Sequence, residues 1–271
     1  MSSLLRTEWL KMSKYPAFWW LTLLTALSYP GINYIGNNIY DDITHRKGQT
    51  GQVFKMLIGT PYTFPEVWHT EAFFSSCLVF VPAVLVIMFI TNEYTFKTHR
   101  QNVIDGWSRS QFLTSKMVAV LLTTLLVTLI FSLVAYITGT VNTGPEISGR
   151  WSQAYYIMLF ALQTFAQLSI AFLIGFFVRK AFIALGIFLF YFLILENIAV
   201  GYGSHKEWKF VQYLPLEVSD RLIPPPEFFG RVDKLRYEQA LRDVNIHILY
   251  TVLLTALIWF ICFRVNARKD L

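Results

Sequence analysis

The sequence predicts an all-α integral membrane fold with six transmembrane helices, and three observations carry that prediction. Of 271 residues, 55% are hydrophobic and only 15% are charged, against about 25% charged in soluble domains. The apolar residues are clustered: no charge interrupts Trp151 to Val178, a run longer than the roughly 20 residues that cross about 30 Å of hydrocarbon as a helix. Lys and Arg are also unevenly shared among the segments between such runs, as membrane topology requires.

The elements follow in order along a single domain, 1–271. Residues 2–14 read as a surface helix. At about 100° per residue, Leu4, Leu5, Trp9 and Met12 share one arc, with Arg6, Lys11 and Lys14 opposite. Spans are predicted at 16–35, 72–91, 117–138, 153–178, 181–200 and 246–263. In the first, Ser28, Tyr29, Pro30 and Gly31 predict a kink or an early stop. It is read as a retained helix, because it lacks a small-residue cleavage site and is rich in Trp and Tyr.

Between spans one and two, Gly48, Gly51, Pro61 and Pro65 predict loop with at most a short helix. Little more than Arg179 and Lys180 joins spans four and five, which forces an antiparallel hairpin. The longest non-membrane piece, 201–245, holds Pro224, Pro225 and Pro226 and then a helical stretch, 227–243. Its Trp208, Phe210, Val211, Leu214 and Leu216 predict a partial return into the membrane interface.

Orientation follows from charge. With both termini inside, the inner segments hold twelve Lys and Arg against four acids, and the outer segments hold eleven basic and thirteen acidic residues. That asymmetry predicts an N-in, C-in, multi-pass protein of the inner (cytoplasmic) membrane. It also accounts for the net charge of +6 through membrane flanks and lipid contact, with no nucleic-acid partner expected. Cys77 and Cys262 both fall in spans and read as packing residues.

The chemistry-bearing motifs are conspicuous by absence. No Gly-Lys pair occurs, so the chain has no phosphate loop for ATP. His-Glu-x-x-His and Gly-x-Ser-x-Gly are missing too, and the five histidines are scattered. No enzyme activity and no metal site are expected; His45 and His69 are read as solvated loop residues. Within the spans the only charge is Glu196, read as reaching the outer interface or contacting the outer segment. Gln163, Thr164 and Gln167 form one polar stripe in the fourth span. It either joins helices or lines a pathway.

The cytoplasmic segment 92–116 is the most distinctive. Glu93 follows the second span, a Gly-containing turn sits in the middle, and Ser108 with Gln111 forms a capping box opening the helix of the third span. This segment resembles the loop between spans two and three of type-2 ATP-binding-cassette (ABC) transporter permeases. Glu93, Thr98, Arg100, Ser108, Arg109 and Lys116 match that pattern in order and spacing. Lys97 departs from it, standing where Gly is usual. The surface helix, the tight join of spans four and five, and the long outer segment before the last span resemble the same family, so the similarity extends over the whole chain.

The resemblance implies a mechanism. Two permease chains, as a homo- or heterodimer, would pair, and two separate ABC ATP-binding subunits would dock beneath them against Gln101 to Gly106. Glu93, Thr98, Arg100, Gln101, Asp105, Arg109 and Lys116 would couple the ATPases to the spans. ATP and Mg would be held by those partners, with no cofactor in this chain. An exporter of apolar or amphiphilic cargo, whether peptide, drug or lipid, fits the aromatic, nearly uncharged spans. The rival reading is a membrane sensor or assembly scaffold that transports nothing.

Overall fold

The computed structural model describes residues 9–44, 56, 58–98, 101, 104, 106–144, 149–206, 208–230 and 234–268. Among them the regular structure is entirely helical. After a helical turn at 9–13 come α1 (Pro16–Thr44), α2 (Val67–Ser76), α3 (Phe80–Thr95), α4 (Arg109–Asn142) and α5 (Tyr156–Val178). Then α6 (Ala181–Phe190) passes through a π-turn, Tyr191–Leu195, into α7 (Glu196–His205). A 3-10 turn at Lys209–Tyr213 leads to α8 (Pro215–Asp220), α9 (Glu227–Gly230) and the long α10 (Lys234–Arg268).

Among the described residues, four helical stretches are long and apolar enough to cross a membrane: α4, α5, α6 with α7, and α10. A fifth forms if α2 and α3, bent by 48° at a short break, are taken as one span. The chain is therefore a multi-pass membrane protein. Helix α1 is not in that set. Trp19, Trp20, Ser28, Tyr29, Pro30 and Asn33 dilute its apolarity, so length and hydropathy of the described helices support four or five spans.

The expected stop at Pro30 does not occur, and α1 runs on to Thr44. Proline removes one N–H from the ladder, but nearby side chains bond back to the helix. Thr25 donates to the Leu21 carbonyl at 2.8 Å, Ser28 to Thr25 at 3.1 Å and Asn33 to Tyr29 at 3.0 Å. The last span likewise extends past its expected start, because α10 absorbs the helical stretch before it into one 35-residue rod.

Helix α5 is the hub. It packs on α2, α3, α4, α6, α8 and α10, and 61% of its most apolar window is buried, against 17% for α6 with α7. Gly175 permits the closest approach: a Cβ there would lie 2.6 Å from Ile90 Cγ2 on α3. Phe160, Phe172 and Phe176 of α5 are fully buried with Phe131 and Phe188, so much of the aromatic content of this region forms core. The indole of Trp259 on α10 donates to the Ser169 hydroxyl at 3.0 Å, a polar tie inside the bundle. The join between α5 and α6 is as tight as expected: Arg179 takes a left-handed φ of 58° and Ala181 already begins the next helix.

Candidate functional site

Two polar clusters stand out, one where α3 ends and one inside the bundle. The first lies where α3 ends and α4 begins. Lys116 of α4 is fully buried and its Nζ is 2.5 Å from Glu93 Oε1, while Thr98 donates to Glu93 Oε2 at 2.5 Å. The Lys11 ammonium joins from the N-terminal segment, 3.2 Å from the same Oε1. The ammonium of Lys116 also lies 4.0 Å from the centre of the Phe89 ring, a cation–π contact strengthened by desolvation. One carboxylate thus ties the end of α3, the start of α4 and the N-terminal segment together.

The backbone around this cluster is shaped to match. Ser108 accepts from the Gln111 N–H and Gln111 returns a bond to the Ser108 N–H, so both halves of the capping box form. Lys97 stands at φ 55°, a conformation glycine takes without cost. Arg109 is directed elsewhere, with its guanidinium donating to the Ala267 carbonyl at 3.1 Å. Asn266 in turn donates to the Arg109 carbonyl at 2.8 Å. The start of α4 is therefore tied to the end of α10. Gln101 is exposed; Arg100 and Asp105 lie outside the described residues.

The second cluster lies within the bundle. Gln163 and Gln167 of α5 donate through Nε2 to Asp220 Oδ1 at 2.7 and 2.6 Å, and Gln167 also reaches Ser219 Oγ at 3.3 Å. Thr164 is buried beside them, its hydroxyl unpartnered. Since Gln163 and Gln167 lie about 10 and 17 Å along α5 from Tyr156, α8 has folded back to a third to half of the depth of that helix. The return predicted for 201–245 is deeper than an interfacial contact.

Glu196 holds the other end of α8. Its Oε1 accepts the N–H groups of Leu216 and Glu217 at 2.8 and 2.7 Å. Burial pushes the Asp220 carboxyl up to about 7, with the Gln163 and Gln167 amides opposing the rise. A cavity of about 320 Å³ opens against Glu196, Glu217 and Asp220, with Phe73, Cys77 and Phe192 on its other walls. Among the described residues no group of three or more His, Cys, Asp or Glu side chains could hold a metal. His69 is spent on the Pro224 carbonyl at 2.7 Å and on Tyr156, whose ring stacks at 4.1 Å; His45 lies outside the described residues.

Sequence reasoning missed two participants. Lys11 was expected on a polar, solvent-facing arc, yet it reaches Glu93. Asp220 carried no motif; in the sequence it is one of three charges, with Glu217 and Arg221, among Leu216, Val218, Leu222 and Ile223. A family profile described as a protein of unknown function, DUF2705, matches residues 60–271. No curated protein matches the chain.

Proposed function

The chain belongs to the DUF2705 family, and on that premise we propose that it is the permease subunit of an ATP-driven ABC exporter. In this reading it has six spans, with α1 as the first, and lies N-in and C-in in the cytoplasmic membrane. It pairs with a second permease chain and is driven by separate ATP-binding subunits. The observation that carries the reading is the Glu93, Lys116 and Thr98 cluster. A load applied to the segment between α3 and α4 needs a stiff base if it is to move helices rather than bend a loop. The buried ion pair supplies that stiffness, and the bonds of Arg109 and Asn266 extend it to α10.

The spans offer a place for cargo as well. Apolar walls and a polar return helix border the cavity beside α8, which suits an amphiphilic or apolar molecule. Gln163 and Gln167 act from behind, through Asp220, by fixing α8 against α5, with Thr164 buried beside them. A change in the tilt of α5 is thereby transmitted to the cavity wall.

The test is purification in mild detergent from the natural host. An ATP-binding subunit recovered in stoichiometric amount, and lost when Asp105→Ala and Arg109→Ala are combined, supports the permease reading. Recovery of an intact chain free of any ATPase supports the sensor or scaffold reading instead.

A further inference from the structure

A third set of polar groups lies where α1, α2 and α4 pack on one another, apart from both clusters above. Glu71 of α2 is fully buried, and neither of its carboxylate oxygens has a hydrogen-bond partner among the described residues. An ionised carboxylate taken out of water at such a place has to be neutralised. Helix register places its neighbours. Lys11 reaches Glu93 at 3.2 Å and Asn33 donates to Ser75 Oγ at 3.1 Å, so α1 and the α2–α3 pair run antiparallel. One turn beyond the Asn33–Ser75 bond, Asn37 of α1 therefore stands level with Glu71 of α2. The Tyr62 hydroxyl lies against Gly36, where a Cβ would collide with it. Burial first, then the Glu71 and Asp41 carboxylates, push the same phenol up, which sets it within electrostatic reach of Glu71 as well. Thr138 of α4 approaches the Glu71 carboxyl without completing a hydrogen bond.

The unpartnered atoms of Glu71, Asn33 and Asn37 are all acceptors. Asn33 spends its Nδ2 on the Tyr29 carbonyl at 3.0 Å and on Ser75. A carbonyl cannot donate, so the amide is fixed with Oδ1 as the atom left over. Protonation of Glu71 would supply one O–H and serve one of these oxygens. A bound cation serves several at once and balances the carboxylate charge. Carboxylate and amide oxygens are hard donors, suited to hard cations. With a single carboxylate, one positive charge gives neutrality, whereas a divalent ion would leave a net charge in dry surroundings. We propose that Glu71, Asn33 and Asn37 bind a monovalent alkali-metal cation between α1 and α2, with the Tyr62 and Thr138 hydroxyls beside it. The ion fastens the C-terminal half of α1 to the bent α2–α3 pair. The site requires neither transport nor an ATPase partner, so its test and that of the permease reading are independent.

The full chain, purified in detergent, is melted by tryptophan fluorescence in sodium, potassium or N-methylglucammonium chloride at equal ionic strength and mildly alkaline pH, where protons compete least. Sodium or potassium is expected to raise the melting temperature by about 3 °C over the organic cation, which is too large to enter. Glu71→Gln keeps the side-chain shape, removes the charge and offers an amide to the asparagine oxygens, so it erases that difference. Equal melting in the three salts, or a difference that survives Glu71→Gln, overturns the proposal. Should Glu71→Gln not fold, Asn37→Ala takes its place in equilibrium dialysis with the cation that raised the melting temperature, as radiolabelled sodium or rubidium. One ion retained per parent chain and markedly less on the variant supports the site. Equal retention, or none on the parent chain, overturns it.

Discussion

At the level of single residues, Glu93 and Lys116 dominate because both are buried and each is the other's charge partner. Removing either partner unbalances a desolvated pair, which costs about 3–5 kcal/mol, with Lys11 left at 3.2 Å from Glu93 when Lys116 is lost. Lys116→Met is therefore expected to lower the melting temperature strongly, and combining it with Glu93→Leu to recover most of the loss. A thermal double-mutant cycle measures the coupling. Lys97 predicts the opposite sign. A non-glycine residue in the left-handed region costs about 1–2 kcal/mol, so Lys97→Gly is expected to stabilise the folded chain, read as a rise in melting temperature. Glu93 and Lys116 were legible in the sequence only as two positions of the resemblance within 92–116; that they pair, with Lys116 buried, was not. Nor was Lys11, because amphipathic geometry assigns a side chain to a face without saying what that face meets.

Among the elements, α8 is the part whose placement determines the shape of the bundle interior. It is held by Glu196 at its start and by Gln163 and Gln167 at its end. Burial raises Asp220 from 3.8 to about 7 in the folded chain, so the folded state binds this proton more tightly than the unfolded one. Its stability contribution is thus fully present below about pH 4 and is lost as pH rises through about 7. Hydrogen exchange at 215–220 is expected to quicken across that window beyond its intrinsic pH trend. Asp220→Asn should flatten the additional dependence. A different constraint governs α3 against α5: a side chain at Gly175 meets Ile90 within 2.6 Å, so Gly175→Leu is expected to cost about 1–3 kcal/mol by overpacking.

The spans of α4, α5 and α6 were readable from uninterrupted apolar length, and the α5–α6 hairpin from two residues. Of the kink or early stop expected at Pro30, the stop does not occur, and α1 continues to Thr44. The return of α8 was legible only as a tendency. Its depth depends on hydrogen bonds between residues more than 50 positions apart in sequence, which local patterns do not encode.

For the whole molecule, the contrast between a buried α5 and a sparsely covered α6 with α7 sets the plan of assembly. Phe182, Ile187, Phe190 and Ile198 form an exposed apolar face that meets lipid or, in the proposed dimer, a second permease chain. At the opposite pole from the α8 cavity, the segment after α3 rests on the Glu93 cluster and presents Gln101 outward. The central claim is that an ATP-binding subunit docks there. The most direct measurement is photocrosslinking in native membranes from p-benzoylphenylalanine at position 101, with position 151 at the other end of the bundle as control. The account predicts an adduct at 101, absent at 151, whose peptides identify a phosphate-loop ATPase. Adducts at 101 with lipid or with other proteins, and none with an ATPase, would contradict it.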